Sequence, residues 1–487
     1  MNRIAQLDHK YVWHPFTQMR EWLQQQPLVV VDGKGAVLRD IHGRKYLDAN
    51  SSIWTNLHGH NHPKINTAIS LQLKKIAHSS ALGLANEPAS LLAEKLVQAT
   101  RQQSRARAQA GSAAMSRLEK VFFSDNGSTA LEVALKMAYE FARRAKQLKR
   151  PRFLSLQGAY HGDTVGAVSL GHIDLFHRAY RGLLFKSDRA MSPYCYRCPF
   201  NRAKPERADA RQTRKCNWEC VANTEKQFVA QKKKGNPYAA FVFEPLMQGA
   251  AGMIAQPPGW LNRVSEIARS HGALLIADEV MTGFGRTGGG TGGLSPPHWF
   301  ACRSENVHPD FLCLAKGLTG GYLPMAATLT TAPVFDAFLG RYDEFKSFFH
   351  GHSYTGNQLG AAAALANLEI LRAKPSLMAR QQLEANLRRE LQSLWQLPNV
   401  GDIRQVGLVA GIELVKNWRT RKPFALRERA GIRVCETMAA RGVLTRPVGN
   451  VIVLMPPYCT TPAQLKTMVS VLRESVKTTV GNEVTDL

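Results

Sequence analysis

The sequence is poor in acidic residues: its 487 residues include 37 Asp and Glu against 63 Lys and Arg, a formal net charge of +26. It has no apolar run of the roughly 20 residues that a membrane-spanning helix needs, and no apolar segment typical of a secretory signal near its start. The eight cysteines are far too sparse for a disulfide scaffold, so we expect reduced thiols. These absences predict a cytoplasmic protein that does not enter a membrane.

The rest of the composition is ordinary, with 44% hydrophobic and 21% charged residues, which excludes disordered, collagen-like and coiled-coil classes. The excess positive charge is concentrated in residues 101–152 and 202–234. Arg101–Arg117 and Lys204–Lys215 resemble solvated loops or insertions. A nucleic-acid surface is the remote alternative, because no helix-turn-helix, RNP or paired zinc-finger pattern accompanies the charge.

Short apolar strands alternate with helical periodicity from about residue 60 to 345, which predicts a large, mostly parallel α/β domain. The predicted strands are Val121–Ser124, Arg152–Gln157, Ala239–Glu244, Ala273–Asp278, Phe311–Ala315 and Met325–Leu329. Two long helices and short strands then predict a smaller α+β domain. We divide the chain into residues 1–60, the first part of the small domain, residues 61–345, the large domain, and residues 346–487, the rest of the small domain.

The first candidate site lies where a predicted strand leads through small and capping residues into a helix. Gly127 and Ser128 stand at the start of that helix. Helix N-termini expose unpaired N–H groups and a partial positive charge, so these residues could bind a phosphate. The same pattern is also typical of a plain N-cap.

Tyr160 is the second candidate, because it lies between Gly158 and Gly162 directly after another predicted strand. Glycines allow close backbone approach, and a planar cofactor could stack on the tyrosine ring. A turn with a packed tyrosine is the alternative interpretation.

Two charged residues end the next pair of apolar strands. Asp278 follows Ala273–Ala277, and a buried carboxylate there needs a cationic partner, such as a protonated ring nitrogen. Lys316 follows Leu312–Ala315, where poor solvation lowers the pKa of an amine and allows it to form an imine. Each residue alone could be an ordinary cap or surface residue. Together the four candidates make up a complete pyridoxal phosphate site at the carboxyl ends of the strands.

Two further patterns are less specific. Gly283–Gly288 matches a dinucleotide fingerprint, but the Gly-rich and Pro-rich run up to Pro297 cannot form the helix that the fingerprint requires, which excludes hydride transfer. The second pattern has zinc-like spacing, although three residues rather than two separate the cysteines of its second pair, and scattered loop thiols are the alternative. It consists of Cys195, Cys198, Cys216 and Cys220.

The motifs Ser124–Ser128, Asp278–Gly288 and Ala315–Gly317 resemble the signatures of class III pyridoxal phosphate aminotransferases. Other segments resemble the branch of that class that makes 7,8-diaminononanoate from 8-amino-7-oxononanoate for biotin synthesis. These segments are Trp13–Met19, Ser51–Trp54, His350–Asn357 and Thr445–Pro447.

The resemblance implies fold type I, a homodimer with sites at the interface, and a role for each matching residue. Lys316 would carry the cofactor and move the proton, Asp278 would pair with the pyridinium nitrogen, and Tyr160 would stack on the ring. Gly127, Ser128 and Ser353 of a neighbouring subunit would bind the phosphate. The implied substrate-binding residues are Phe16, Trp54, Arg286, Gly351 and Arg446, of which Arg446 would receive a carboxylate.

The amino donor is the open part of this prediction. Phe16 and Ile53 depart from the residues typical of members that use S-adenosylmethionine, and with Tyr194–Arg197 they resemble the subgroup that uses L-lysine. A lost hydroxyl removes a polar contact that could discriminate donors. We favour S-adenosylmethionine, the usual donor of the branch, and keep a different ω-aminotransferase activity, on amines or diamines, as the alternative function.

Overall fold

The computed structural model describes residues 2–101, 117–288 and 299–481. Most of Arg101–Arg117 and of the Gly288–Pro297 run, which the sequence predicts as loops, lies outside the described residues. Within the described ranges, no helix has both the length and the apolar character that crossing a membrane requires.

A seven-stranded sheet forms the centre of the described chain. In spatial order its strands are Leu118–Ser124, Ala326–Thr331, Phe311–Leu314, Leu274–Asp278, Tyr238–Phe243, Arg152–Leu156 and Asp188–Ala190. The last five are parallel to one another, whereas Ala326–Thr331 is antiparallel to both of its neighbours. The predicted mostly parallel α/β sheet is confirmed.

Helices pack around this sheet, and their small apolar residues allow close contact. In the helix Gly127–Arg144, the side chains of Ala130, Ala134 and Ala138 recur at four-residue spacing and are fully buried. The α-helices of the described ranges are Arg3–Tyr11, Met19–Trp22, Ser51–Trp54, Pro63–Lys75, Glu87–Arg101, Gly127–Arg144, Val165–Leu170, Asp174–His177, Ala210–Thr213, Glu219–Lys233, Trp260–Ser270, Ala332–Asp336, Gln358–Arg372, Lys374–Leu391, Ala430–Ala440 and Pro462–Val480.

Besides the two-stranded pair Met247–Gln248 and Ile254–Ala255, two smaller sheets accompany the central one. The first contains Val30–Lys34, Val37–Asp40 and Lys45–Asp48, and Val443–Leu444 pairs parallel to the last of these. The second contains Val400–Val406, Val409–Asn417, Val451–Leu454 and Pro447–Val448, with Lys422–Pro423 on the side. The first sheet thus combines strands from the N-terminal and C-terminal parts of the chain, as a small domain built from both parts requires. The domain boundaries stay a prediction.

Part of the basic segment 202–234 is anchored to the second small sheet. The Arg207 guanidinium donates to the carbonyls of Leu397 at 2.8 Å and Val400 at 2.7 Å. Arg211 donates to the carbonyl of Gln405 at 2.8 Å and pairs with Asp209 at 2.6 Å. The interpretation of Lys204–Lys215 as a solvated loop is therefore wrong for these two arginines, because they satisfy carbonyls of the sheet and its approach.

Candidate active site

The carboxyl ends of four strands bring the predicted site residues to one edge of the central sheet. Leu118–Ser124 runs in the same direction as the parallel strands, because both it and Phe311–Leu314 are antiparallel to Ala326–Thr331. The start of the Gly127 helix, the loop containing Tyr160, Asp278 and Lys316 therefore share that edge.

Asp278 is held by a histidine to which the sequence reasoning gave no role. Its Oδ2 lies 2.8 Å from Nδ1 of His161, and its Oδ1 accepts from the backbone N–H of Val280 at 3.1 Å. Both side chains are buried, and Nε2 of His161 is buried with no hydrogen-bond partner among the described residues. His161 directly follows Tyr160, so its place in the same loop was the available signal.

Lys316 lies at the end of the neighbouring strand in a left-handed conformation, with φ of 44°. Its Nζ stands 4.7 Å from the centre of the Trp54 ring. Burial lowers the pKa of Lys316, and the negative charges of Asp278 and Glu244 oppose that shift. An amine in this setting can lose its proton more readily than an exposed lysine.

Glu244 is a second buried carboxyl group that the sequence reasoning missed. It accepts hydrogen bonds from the backbone N–H of Gly249 at 2.7 Å and of Tyr160 at 3.3 Å. Burial raises its pKa to about 7, and His161 and the two N–H groups counteract this. Like Asp278, it directly follows an apolar strand, Tyr238–Phe243, and that parallel could have identified it.

The start of the Gly127 helix combines a cap with free donors. Asn126 and Thr129 form a reciprocal capping box, with side-chain to backbone distances of 3.1 and 3.0 Å. No hydrogen bond from the N–H groups of Gly127 or Ser128 is found in the described chain. The N-cap interpretation is thus correct, and the cap still leaves two donors at the helix end, where an anion binds best.

Two glycines allow this helix to approach the rest of the site. A Cβ at Gly162, where φ is 121°, would lie 2.0 Å from Oγ of Ser128, and one at Gly127 would lie 2.7 Å from Cγ1 of Val280. Ser128 Oγ accepts from the backbone N–H of Asp163 at 3.1 Å. The close approach places the helix end beside both the Tyr160 loop and the Asp278 strand.

Aromatic side chains extend outward from Tyr160. The Tyr160 hydroxyl donates to Asp163 at 2.7 Å, and burial together with that bond raises the pKa of Tyr160. The ring centres of Tyr160 and Phe176 are 6.1 Å apart, and Phe16 lies 5.2 Å from Phe176. Phe16 is therefore connected to the predicted ring platform through Phe176.

Trp54 ends the segment Ser51–Trp54, which has the hydrogen bonds of a short helix but is a strained, left-handed turn of the backbone. The four non-glycine residues Ser51–Trp54 all have left-handed φ values, between 46° and 70°. Such residues cost roughly 1–2 kcal/mol each, so the surroundings must hold the turn. Asp48 accepts from the Ser52 N–H at 3.1 Å and hydroxyl at 2.9 Å, and pairs with His60 at 3.0 Å.

The remaining predicted substrate residues differ in exposure. Arg286 is fully buried and donates to the carbonyls of Asn56 at 2.7 Å and Pro456 at 2.8 Å. Its contacts are therefore to the backbone that borders the site. Arg446 and Gly351 are exposed.

Ser353 is exposed as well, and its surroundings tie it to the chain's own surface. Its carbonyl accepts from Nε2 of His78 at 2.9 Å. The neighbouring His352 lies 3.3 Å from the Asp125 carboxylate, just before the capped helix. The Ser353 hydroxyl has no hydrogen-bond partner within the described ranges.

The four cysteines with zinc-like spacing are all free, two of them buried and two half-buried. Among the described residues, no three His, Cys, Asp or Glu side chains are arranged to hold a metal ion. The zinc hypothesis stays a prediction, and Cys220 lies in the helix Glu219–Lys233 rather than in a loop.

The edge of the sheet fits a flat cofactor that bears a phosphate, a basic ring nitrogen and a carbonyl group. The helix end supplies two free N–H groups in a space that Cβ atoms on Gly127 and Gly162 would obstruct. Asp278 supplies a buried negative charge, and Lys316 supplies an amine. Pyridoxal 5′-phosphate has these chemical features.

Comparisons with known proteins agree with this chemistry. Residues 19–476 match the family model described as aminotransferase class-III. The chain is 45% identical to the adenosylmethionine-8-amino-7-oxononanoate aminotransferase of Geobacter sulfurreducens, covering 97% of both chains. It is 44% identical to the enzyme of that name from Aquifex aeolicus, again over 97% of both.

Solved structures of aminotransferases are also similar to this chain. The crystal structure of the Methanocaldococcus jannaschii enzyme of that name has a TM-score of 0.86 and 39% identity, covering 98% of this chain and 99% of that one. A PLP-bound amine transaminase from an uncultivated Pseudomonas species has a TM-score of 0.84 and 33% identity, with 96% of this chain and 99% of that one covered.

Proposed function

Because the chain belongs to the class III aminotransferases and takes pyridoxal 5′-phosphate, we propose that it converts 8-amino-7-oxononanoate to 7,8-diaminononanoate for biotin biosynthesis. The observation that carries the proposal is the position of half-buried Lys316 and buried Asp278 at the ends of adjacent parallel strands. The names of the relatives supply the substrate. We place the enzyme in the cytoplasm, where free thiols such as its eight cysteines are usual.

Bound pyridoxal phosphate supplies an electron sink for carbanion chemistry. Lys316 would hold the cofactor at its carbonyl carbon, and its amine, once free, would hold and move the proton of the donor carbon. Burial suits Lys316 to this role because it lowers the pKa of the amine toward the operating pH. Asp278, whose carboxyl group is oriented by His161, would pair with the ring nitrogen.

The other residues bind and orient. Gly127 and Ser128 would donate their free N–H groups to the phosphate, and Tyr160 would support the ring. Trp54 and Phe16 line the apolar path of the substrate chain. Arg446, exposed and without an ion pair in the described ranges, receives the substrate carboxylate, for which its planar guanidinium is suited. Arg286 holds the backbone at Asn56 and Pro456 beside this path.

We also propose that the protein is a homodimer in which Gly351 and Ser353 of one copy complete the site of the other. Several large apolar side chains near this segment are exposed in the single chain, which favours a covered surface. They are Leu82, Leu84, Tyr342, Phe345, Phe349 and Tyr354. Sedimentation analysis of the purified protein should give a dimer, and a monomer with full activity would contradict the shared site.

The donor in our proposal is S-adenosylmethionine, with L-lysine as the alternative. Purified enzyme is given the keto substrate with each donor in turn, and product formed with lysine alone would overturn the choice. Phe16→Tyr tests the contribution of the missing hydroxyl: if it orients the donor, this variant should improve S-adenosylmethionine turnover relative to lysine turnover.

A second candidate function, amine or diamine transamination, is favoured by the similarity to the Pseudomonas amine transaminase. Deletion of the gene separates the two functions. A biotin requirement, relieved by 7,8-diaminononanoate and not by 8-amino-7-oxononanoate, supports our proposal. Growth without biotin would favour the second function.

Lys316→Ala tests the aminotransferase chemistry itself. The variant should lose the visible absorbance of the bound cofactor and all turnover. Lys146→Ala is the control, because Lys146 donates to the Gly272 carbonyl at the opposite end of the Leu274–Asp278 strand. A Lys316→Ala protein that keeps both signals would refute the assignment.

A further inference from the structure

The backbone at Lys316 is strained and must be held in place. Lys316 has φ of 44° and begins the short 3₁₀ turn Lys316–Thr319. A left-handed conformation costs a non-glycine residue roughly 1–2 kcal/mol, and it persists only where neighbouring groups fix it. Hydrogen bonds to the first two carbonyl groups after Lys316, those of Gly317 and Leu318, hold this conformation.

Asn367 binds both of these carbonyls. Its side chain is fully buried in the helix Gln358–Arg372, and its Nδ2 donates to the carbonyls of Gly317 and Leu318, each at 2.9 Å. Its Oδ1 faces Nε2 of His58 at 2.7 Å. Because two carbonyl acceptors fix the amide nitrogen, the amide oxygen must accept a hydrogen bond from His58.

His58 is suited to that donor role. Burial lowers its pKa to about 3 against the opposing effect of the Asn367 hydrogen bond, and the positive charges of Arg380 and Arg286 also lower it, so the ring stays neutral at physiological pH. The neutral ring carries its proton on Nε2, because that atom donates to Asn367. The adjacent residue also contributes, since the Leu57 N–H donates to the Gly320 carbonyl at 3.2 Å.

We infer that Asn367, oriented by His58, is a positioning residue that fixes the backbone after Lys316 and thereby directs the Lys316 amine toward the reacting atoms. The inference rests on the proposed function only in that it takes Lys316 as the residue that binds the cofactor. A small misplacement of such an amine is costly, because proton transfer requires near-contact geometry.

A matched pair of variants tests the inference. Asn399 is also a buried asparagine whose Nδ2 donates to two carbonyls, those of Val415 at 3.2 Å and Lys416 at 3.4 Å, in the second small sheet. Asn367→Ser and Asn399→Ser therefore each remove two hydrogen bonds to backbone carbonyls. The carbonyls bound by Asn367 directly follow Lys316 in the chain, whereas those bound by Asn399 lie in a sheet that does not contain Lys316. Purified holoenzyme is measured for kcat, KM, melting temperature and the pH midpoint of the cofactor's visible band.

Asn367→Ser should lower kcat about tenfold with little change in KM, and should move the pH midpoint of the visible band by about half a unit or more. Asn399→Ser should lose similar thermal stability while kcat and the midpoint stay at wild-type values. If both variants keep the wild-type kcat and midpoint, or if both change them equally, Asn367 is merely structural and the inference fails.

His58 provides a second route if Asn367→Ser does not fold. His58→Gln retains a donor for Asn367 and should keep the wild-type midpoint, whereas His58→Phe removes the donor and should shift it. Equal behaviour of the two His58 variants would overturn the inference. These outcomes are distinct from failure of the proposed function, which would appear as a Lys316→Ala protein with intact absorbance.

Discussion

Two cations, the half-buried Lys316 at the edge of the central sheet and the buried Arg404 in the second small sheet, are surrounded in opposite ways. Arg404 donates to Asp402 at 2.9 Å, to Glu413 at 2.8 Å and to the Met253 carbonyl at 2.6 Å. The amine of Lys316 makes no hydrogen bond or ion pair to any described residue, and its near neighbour is the face of Trp54.

The partners decide what burial does to each charge. Burial alone would lower the pKa of Arg404, but Tyr194, Glu413 and Asp402 outweigh it and raise the pKa. Burial lowers the pKa of Lys316, and Asp278 and Glu244 do not cancel the effect. A fully paired cation is a fixed part of the fold, whereas an unpaired one is available for chemistry.

Lys316→Met should produce the largest effect and separates chemistry from stability. We expect turnover to fall by about 10⁴-fold or more, at the upper end of what positioned proton transfer supplies. Stability of the cofactor-free protein should not fall, because methionine replaces a half-buried charge that has no ion pair in the described chain. Steady-state assays and urea unfolding measure the two quantities. A marked loss of stability would show that Lys316 also holds the fold.

Arg404→Met should do the reverse. Removing the arginine leaves the buried carboxylates of Asp402 and Glu413 without their shared partner, and we expect a loss of about 3–5 kcal/mol in the free energy of unfolding. Arg388→Met is the control, because Arg388 is half-exposed and pairs with Glu384 only across one helical turn, so its loss should cost under about 0.5 kcal/mol. Equal losses in the free energy of unfolding of the Arg404→Met and Arg388→Met proteins would contradict the structural role of Arg404.

Glu244→Gln tests how the buried carboxyl group near Lys316 makes the stability of the protein depend on pH. Burial raises the pKa of Glu244 to about 7 from 4.5, so the folded state keeps this proton after the unfolded state has lost it. This contribution is complete below pH 4.5 and is lost as pH rises through 7, by up to about 3 kcal/mol. Glutamine cannot lose the proton, so the variant's stability should fall less between pH 5 and pH 8 in urea unfolding.

The pH experiment is best done in the Lys316→Met background, where the neighbouring amine no longer titrates. The single variant Lys316→Met is then the reference for the double variant. Parallel stability curves for the two proteins over this pH range would mean that Glu244 is already ionised in the folded state.

Arg207→Lys should give the smallest effect. Lysine cannot donate to the Leu397 and Val400 carbonyls in the forked geometry of arginine, so we expect a loss of about 1 kcal/mol in the free energy of unfolding. Lys204→Ser, at an exposed position of the same segment, should leave stability unchanged. If the two variants behave alike, this part of the basic segment is solvated, as the sequence suggests.

The sequence was informative where chemistry follows a strand directly. Asp278 and Lys316 each end an apolar run, and a parallel sheet brings such ends together, so the fold class and the position of these residues could be predicted. Glu244 also follows such a run and could have been identified in the same way. The roles of His161 and Asn367 could not be assigned, because each depends on a contact with a distant segment. His161 is 117 positions from Asp278, and Asn367 is 309 positions from His58.

Arg207 shows the same limit of local sequence patterns, but here the sequence predicted exposure where the structure has a contact. Its basic, polar neighbourhood is typical of an exposed insertion, and nothing local indicates that the Leu397 carbonyl, 190 positions later, will accept its hydrogen bond. Local composition predicts solvation well only when no later segment docks on the residue. The left-handed turn at Ser51–Trp54 was also missed, since no glycine marks it.

The ties of that turn to the other end of the chain have a consequence for biosynthesis. Ser51 Oγ donates to the Met455 carbonyl at 2.6 Å across 404 positions, and Ala49 donates to the Leu444 carbonyl. At the ribosome, about 5–20 residues are added per second, so the segment carrying Trp54 waits roughly 20–80 s for its anchors. During that time the nascent chain must be kept from aggregating, and a ribosome that stalls before residue 455 cannot release an active enzyme.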